Sequence, residues 1–225
     1  MKVFPTRLFY FDGANPDIER RTISGGESLS GEEDLIATDG GGRVFVDFTN
    51  AYLDEPDEAL AWSALGTLLD DGATPIVVPI GDADAQQRGD ITTPVGGDPW
   101  WDEADFADGV SGITLSAAAA LRATTLVLAL DPGEQPVRPG IWFSIKHATY
   151  SHRAYKVAEI VSQNSASATI RIRPPLREAT ASATQVEFSD PKCVMHVDGS
   201  MQGPRTLGFA EGSVRFVEDF SGDYS

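Results

Sequence analysis

The feature that most constrains this chain is a two-residue alternation running through residues Gly140 to Val197. Five short runs there are rich in β-branched and aromatic residues: Ile141 to Lys146, Ala154 to Val161, Ala168 to Arg173, Gln185 to Phe188 and Cys193 to His196. Such residues suit a pleated, half-buried surface, and Pro, Gly, Ser and Asn punctuate the runs as turns would. In Ile170-Arg171-Ile172-Arg173 the isoleucines leave one face and the arginines the other, as a strand with one dry and one wet face requires. Pro174-Pro175 then stops the strand, because proline cannot donate to a ladder. The stretch predicts a small antiparallel sheet or barrel joined by turns, with no helix.

Upstream, Arg7 to Phe11 predicts a strand ended by a turn at Asp12-Gly13, and the polar run Ser24 to Gly31 a surface loop. That loop lacks the Gly-Lys-Ser/Thr ending of a phosphate-binding loop. Arg43 to Thr49 alternates Val44, Val46 and Phe48 on one face, and Thr74 to Ile80 is a buried strand. Between them lies the one convincing helix, about 55–70. Asp54 is its expected cap, Pro56 sits in its first turn, Asp57 and Glu58 suit the positive end of the dipole, and Gly72 is the stop. Ala61, Trp62, Leu65, Leu68 and Leu69 share a stripe at helical spacing. Trp62 is expected to dock this helix on a sheet rather than stack a ligand. Despite its alanines, 111–130 reads as two strands, Ile113 to Ala118 and Thr124 to Leu130. Thr206 to Phe209 and Ser213 to Phe220 close the chain's β structure, and 221–225 are expected to fray.

From Gly81 to Gly109 periodicity vanishes, and a loop this long is usually functional or ordered by a partner. Asp98, Asp102, Asp105 and Asp108 are a formal calcium set, but their spacing is not that of an EF-hand. Trp100 and Trp101 could form a sugar platform. The favoured reading is that Trp100, Trp101 and Phe106 bury against a neighbouring copy of the chain or another partner.

Reactive groups are few. His147, His152, His196 and Cys193 are a formal zinc set, yet Cys193 and His196 sit three apart in a strand and leave opposite faces. No serine lies in a Gly-x-Ser-x-Gly elbow. A lone cysteine in a strand is ordinarily a buried small hydrophobe, and it excludes an internal disulfide. The sequence therefore predicts no enzyme, no metal and no cofactor. No apolar run approaches the roughly 20 residues of a membrane span, and no signal-peptide pattern follows Met1. The chain carries 17 Lys and Arg against 34 Asp and Glu. Residues 1–134 hold 7 of the basic and 25 of the acidic groups, whereas 135–225 hold 10 and 9. Such an acidic first part repels nucleic acid.

Two stretches carry a resemblance. One is Ser28 to Gly31, Asp39 to Val44 and Pro56 to Leu65 ahead of Pro75 to Pro79; the other is Ile170 to Arg177 followed by Val186 to Phe188, Asp190-Pro191 and Cys193 to Met195. Together they resemble the distal tail and baseplate ring proteins of long-tailed bacteriophages and gene-transfer-agent-like particles. The resemblance implies a mainly β fold: a tail-tube-like antiparallel β-sandwich with one flanking helix, plus a small β-barrel-like module. The sandwich core would comprise 1–134 and 200–225, with the helix and the 81–109 loop, and the module 135–199. It further implies a homo-oligomeric ring, expected to be a hexamer, at the tail tip of a virion assembled in the host cytoplasm. The ring would join the tail tube protein to hub and tip proteins, and DNA would pass its acidic channel without specific binding. A head-to-tail connector, a tail terminator, or a carbohydrate- or calcium-binding host-recognition module are the alternatives.

Overall fold

The computed structural model describes residues 1–6, 8–19, 22–27, 29–31, 33–37, 41–80, 112–130, 136–201, 211–222 and 224. The protein is mainly β, and its described residues form one α-helix and two curled antiparallel sheets. The first sheet has the order β1 (Tyr10–Glu19), β4 (Arg43–Tyr52), β12 (Glu211–Glu218), β11 (Lys192–Val197), β5 (Ile76–Pro79). The second has the order β6 (Thr114–Leu115), β7 (Thr125–Ala129), β10 (Ser167–Arg173), β9 (Ser151–Gln163), β8 (Trp142–His147). A separate hairpin pairs β2 (Thr22–Glu27) with β3 (Glu33–Ala37). Among the described residues no helix is long and apolar enough to cross a membrane.

The alternation that predicted strands is also what builds the cores. Val44, Val46 and Phe48 are buried along β4, and Val214 and Phe216 along β12. In β10, Ile170 and Ile172 are buried while Arg171 and Arg173 face water. The helix α1 (Pro56–Leu68) lies on the first sheet through Trp62, Leu65 and Leu69. Burying a Leu of this kind stabilises by about 1.5–3 kcal/mol. Trp62 meets Phe9 edge to face, ring centroids 5.1 Å apart, which confirms its docking role. Its indole lies so close to Gly212 that a Cβ there would stand 2.6 Å from Cζ2, so only glycine fits. Leu68 departs from the expected stripe and is 37% exposed. The N-cap is Glu55 rather than Asp54, and the Glu58 side chain accepts its N–H at 3.3 Å. Past the C-cap Leu69, a 3-10 turn over Asp70–Gly72 ends at φ +96° on Gly72, where Val197 O lies too near for any Cβ.

Three other expectations need correction. β1 begins at Tyr10 and runs straight through Asp12-Gly13, because Gly13 pairs with Thr49 and Pro16 with Val46. An outer strand tolerates a proline whose missing N–H would face away from the ladder. Part of the Ser24 to Gly31 run is hairpin rather than loop, since β2 continues to Glu27. The run Gln185 to Phe188 is not a ladder strand but a bridge, pairing Gln185 with Thr114 and Glu187 with Ser144.

That bridge covers both outer strands of the second sheet and curls it on itself. Sheet membership also cuts across the 134/135 and 199/200 boundaries: β6 and β7 belong with 142–173, and β11 belongs to the first sheet. The physical reason is non-local pairing, which local alternation cannot encode. Trp142 and Ala154 of the second sheet join the first sheet's core, so the two sheets pack against each other. Residues 2–4 lie along β5, with Phe4 N donating to Val77 O at 2.8 Å and Val77 N to Lys2 O at 3.0 Å.

Candidate functional site: a buried charge cluster between the sheets

Strands carrying ionisable residues at buried positions bring an ionic cluster into the seam between the sheets. Glu218 ends β12, Arg153 lies near the start of β9, and Arg177 follows the turn after β10. Arg153 and Glu218 are both 0% exposed. Arg177 clasps the carboxylate with two donors, Nε to Oε1 at 3.1 Å and Nη2 to Oε2 at 2.8 Å. Oε2 also accepts the Val44 N–H at 3.2 Å, and Arg177 Nη2 donates to Gly42 O at 2.7 Å. One carboxylate thus ties β12, β4 and the segment after β10. Paired, charge-assisted bonds of this geometry are the strong kind.

The cluster continues into the second sheet. The Arg177 N–H donates to Tyr155 Oη at 3.0 Å, and Tyr155 Oη shares a 2.7 Å hydrogen bond with His147 Nε2. Arg153 Nη1 donates to Asp219 O at 2.6 Å and stands 3.6 Å from Glu218 Oε1. Its guanidinium lies over the rings of Phe220, Tyr150 and Tyr224 at 4.7, 5.4 and 5.5 Å. Nearby, Lys192 Nζ approaches Asp190 Oδ2 at 3.7 Å, and His196 Nδ1 approaches Asp219 Oδ2 at 3.6 Å.

Burial drives the reactive groups toward their uncharged forms. Desolvation lowers the His147 pKa to about 4; Arg153 and His152 add to the fall and Glu178 opposes it. Desolvation likewise raises the Tyr155 hydroxyl well above its ordinary range. It pushes the Cys193 thiol up to about 12, with the Glu218 charge adding to the rise. A thiol so placed is not a nucleophile at neutral pH. For Asp219 burial alone would raise the pKa, but hydrogen bonds from Ser221 and Tyr224 and the nearness of His196 hold it below the usual carboxylate value.

The residues singled out in the sequence fall as follows. Cys193 lies in the first core and His196 on the opposite face, as their spacing requires; His147 and His152 sit on β8 and β9. Among the described residues no three His, Cys, Asp or Glu side chains gather in an arrangement that could hold a metal ion. Trp100, Trp101 and Phe106, with Asp98, Asp102, Asp105 and Asp108, lie outside the described residues. Sequence reasoning missed Arg153, Arg177 and Glu218 as a group. The signal was there: Glu218 has the parity of Val214 and Phe216, and Arg153 that of Tyr155 and Val157, so each charge sits at a core position of its strand.

These features define a class: a mainly β protein, with one helix among the described residues, whose buried charges bind sheet to sheet. The chain matches no protein-family model and no curated protein.

Proposed function

We propose that this chain is a structural virion protein that works by assembling into a ring at the distal end of a phage tail, taken as a hexamer. In this reading it joins the tail tube protein to hub and tip proteins, and the ring lines an acidic channel past which DNA slides. It is assembled in the host cytoplasm and carried in the virion.

One observation carries the reading. The ten-residue β1 is an outer strand with no neighbour on its far side among the described residues. It leads into a hairpin, β2 and β3, that forms a two-stranded sheet of its own and joins neither large sheet's ladder among the described residues. The other sheet margins are covered: β5 by residues 2–4, and β6 and β8 by the 180–187 segment. An open edge is a template for pairing with another chain, and a lone two-stranded hairpin is marginal in water unless something packs on it. A second copy supplies both needs at once. The acidic excess in 1–134 supports a channel wall that does not adsorb DNA. The inert settings of Cys193, His147 and Tyr155 fit a building block better than a catalyst.

Negative-stain images of the purified chain test this reading. Rings with a central opening are expected, and they should disappear when residues 22–37 are replaced by a short Gly-Ser link. Single particles at every concentration, or rings untouched by that replacement, would contradict it. The glycan-binding alternative rests on Trp100 and Trp101 and predicts glycan binding that is lost on Trp100→Ala with Trp101→Ala; the calcium alternative rests on Asp98, Asp102, Asp105 and Asp108 and predicts calcium binding that is lost when these are replaced by Asn.

A further inference from the structure

The ionic cluster leaves one cation badly served. Arg153 is fully buried, yet its Nε and Nη2 have no hydrogen-bond partner among the described residues. The nearest carboxylate, Glu218, is 3.6 Å from Nη1, and both its oxygens are engaged by Arg177 and Val44. A guanidinium presents five donors in a planar fork and is suited to a two-pronged grip on a carboxylate. Here most of that fork is directed at ring faces instead.

What covers Arg153 are residues after β12: Asp219, Phe220 and Tyr224, in a short strap described at 219–222 and 224. It crosses from the end of the first sheet to the turn between β8 and β9. Asp219 N donates to Val194 O and Tyr224 N to Thr149 O, both at 3.1 Å. The remaining bonds fold the segment on itself: Tyr224 Oη donates to Asp219 Oδ1 at 2.9 Å, Ser221 N donates to the same oxygen at 2.5 Å, and Gly222 N donates to Tyr224 Oη at 3.2 Å. Phe220 lies over Arg153 while 39% exposed, and Tyr224 packs on Val3, Val77 and Val194. The Asp219 carboxylate, which could have met the free guanidinium nitrogens, is turned to Ser221, Tyr224 and His196. Among its described residues the segment therefore supplies rings and backbone to its seat but no carboxylate.

We propose that the buried Arg153 guanidinium under Phe220 and Tyr224 is a binding site for a short segment of another protein chain, one that presents an aromatic ring beside a carboxylate. The strap occupies it in the free protein as a replaceable stand-in. The incoming ring takes the place of Phe220 or Tyr224 on Arg153 and the three valines. Its carboxylate takes Nε and Nη2, the contact the strap does not make. Charge-assisted, two-pronged pairing in a site shielded from water favours the incomer over the strap. The exchange is possible because a ligand shifts such an equilibrium only by what it binds better than the resident segment.

Fluorescence anisotropy with a labelled peptide of the chain's own strap sequence, Asp219 to Ser225, provides the test, since that peptide has the required chemistry. The full chain carrying Phe220→Ser and Tyr224→Ser should bind it about tenfold or more tightly than the unaltered chain, whose site is occupied for most of the time. Adding Arg153→Lys, which keeps the charge but loses the fork, should remove the gain. A control peptide with Asn for Asp and Ser for Phe and Tyr should not bind. In the unaltered chain, hydrogen exchange at Tyr224 should run well ahead of that at Val194 in β11. Equal binding by altered and unaltered chains, binding of the control peptide, or loss of the native circular dichroism on weakening the strap would each overturn the proposal. In the last case the strap would be an indispensable part of the fold.

Discussion

Replacing Glu218 with Ala removes a single carboxylate on which three parts of the chain converge. The loss deprives Arg177 of two short bonds and the Val44 N–H of its acceptor, and it leaves Arg153 with only Asp219 O. Two guanidinium groups then remain in the seam, one of them 0% exposed, with no carboxylate between them. Breaking a buried pair by deleting one partner costs about 3–5 kcal/mol, because the surviving charge is left uncompensated. For a chain of this size each kcal/mol moves the melting midpoint by about 2–4 °C, so a fall of about 6–20 °C is expected. Urea unfolding gives the free energy directly if the slope is unchanged. An internal control is available in Arg171 and Glu159, which meet at 2.9 Å but are 60% and 55% exposed. An exposed pair is worth about 0–1 kcal/mol, so Arg171→Ala should barely register. Replacing all three cluster residues with apolar ones, Arg153→Met, Arg177→Met and Glu218→Leu, should cost less than Glu218→Ala alone, since no stranded charge remains. A Glu218→Ala variant that loses under about 1 kcal/mol, or costs no more than Arg171→Ala, would refute the idea that this cluster locks the sheets together.

Other outcomes follow from the same packing. Gly212→Ala should cost about 1–3 kcal/mol by thermal unfolding, because the new methyl must push aside the buried Trp62 ring 2.6 Å away. His147 has a folded pKa lowered to about 4, so between the unfolded value near 6.5 and that point the unfolded chain binds the extra proton. Stability should accordingly fall as pH drops through this window, by about 3 kcal/mol at most, and a His147→Gln variant should lose that part of the slope in urea titrations at stepped pH. Cys193, with its thiol pushed up to about 12, should resist thiol reagents at pH 8 in the folded protein and react once urea unfolds it.

The elements that alternation announced are those whose pairing needs only one dry face. Val44, Val46 and Phe48 in β4, and Ile170 and Ile172 in β10, advertise their strands because each inward residue is apolar and each outward one polar. β1 reads short in the sequence because Asp12-Gly13 has the look of a turn, and only the tertiary pairing of Gly13 with Thr49 carries the strand on to Glu19. The membership of β11 in the first sheet and of β7 in the second follows from long-range pairing, which a local period of two does not record. The buried cluster escaped for a related reason. A charged residue at core parity, as Glu218 is after Val214 and Phe216, looks like the frayed end of a strand until its partner is known, and Arg177 lies 41 residues away in sequence. The three aromatic residues favoured as contact points, Trp100, Trp101 and Phe106, fall outside the described residues.

The most direct test of the account is the mass distribution of the purified full-length chain, measured by mass photometry across a dilution series and again after residues 22–37 are replaced by a Gly-Ser link. The open edge of β1 and the separate two-stranded hairpin predict a closed assembly of several copies, with six the expected number, that reverts to single chains when the hairpin is removed. A single-chain mass at every concentration, with or without the hairpin, would contradict it.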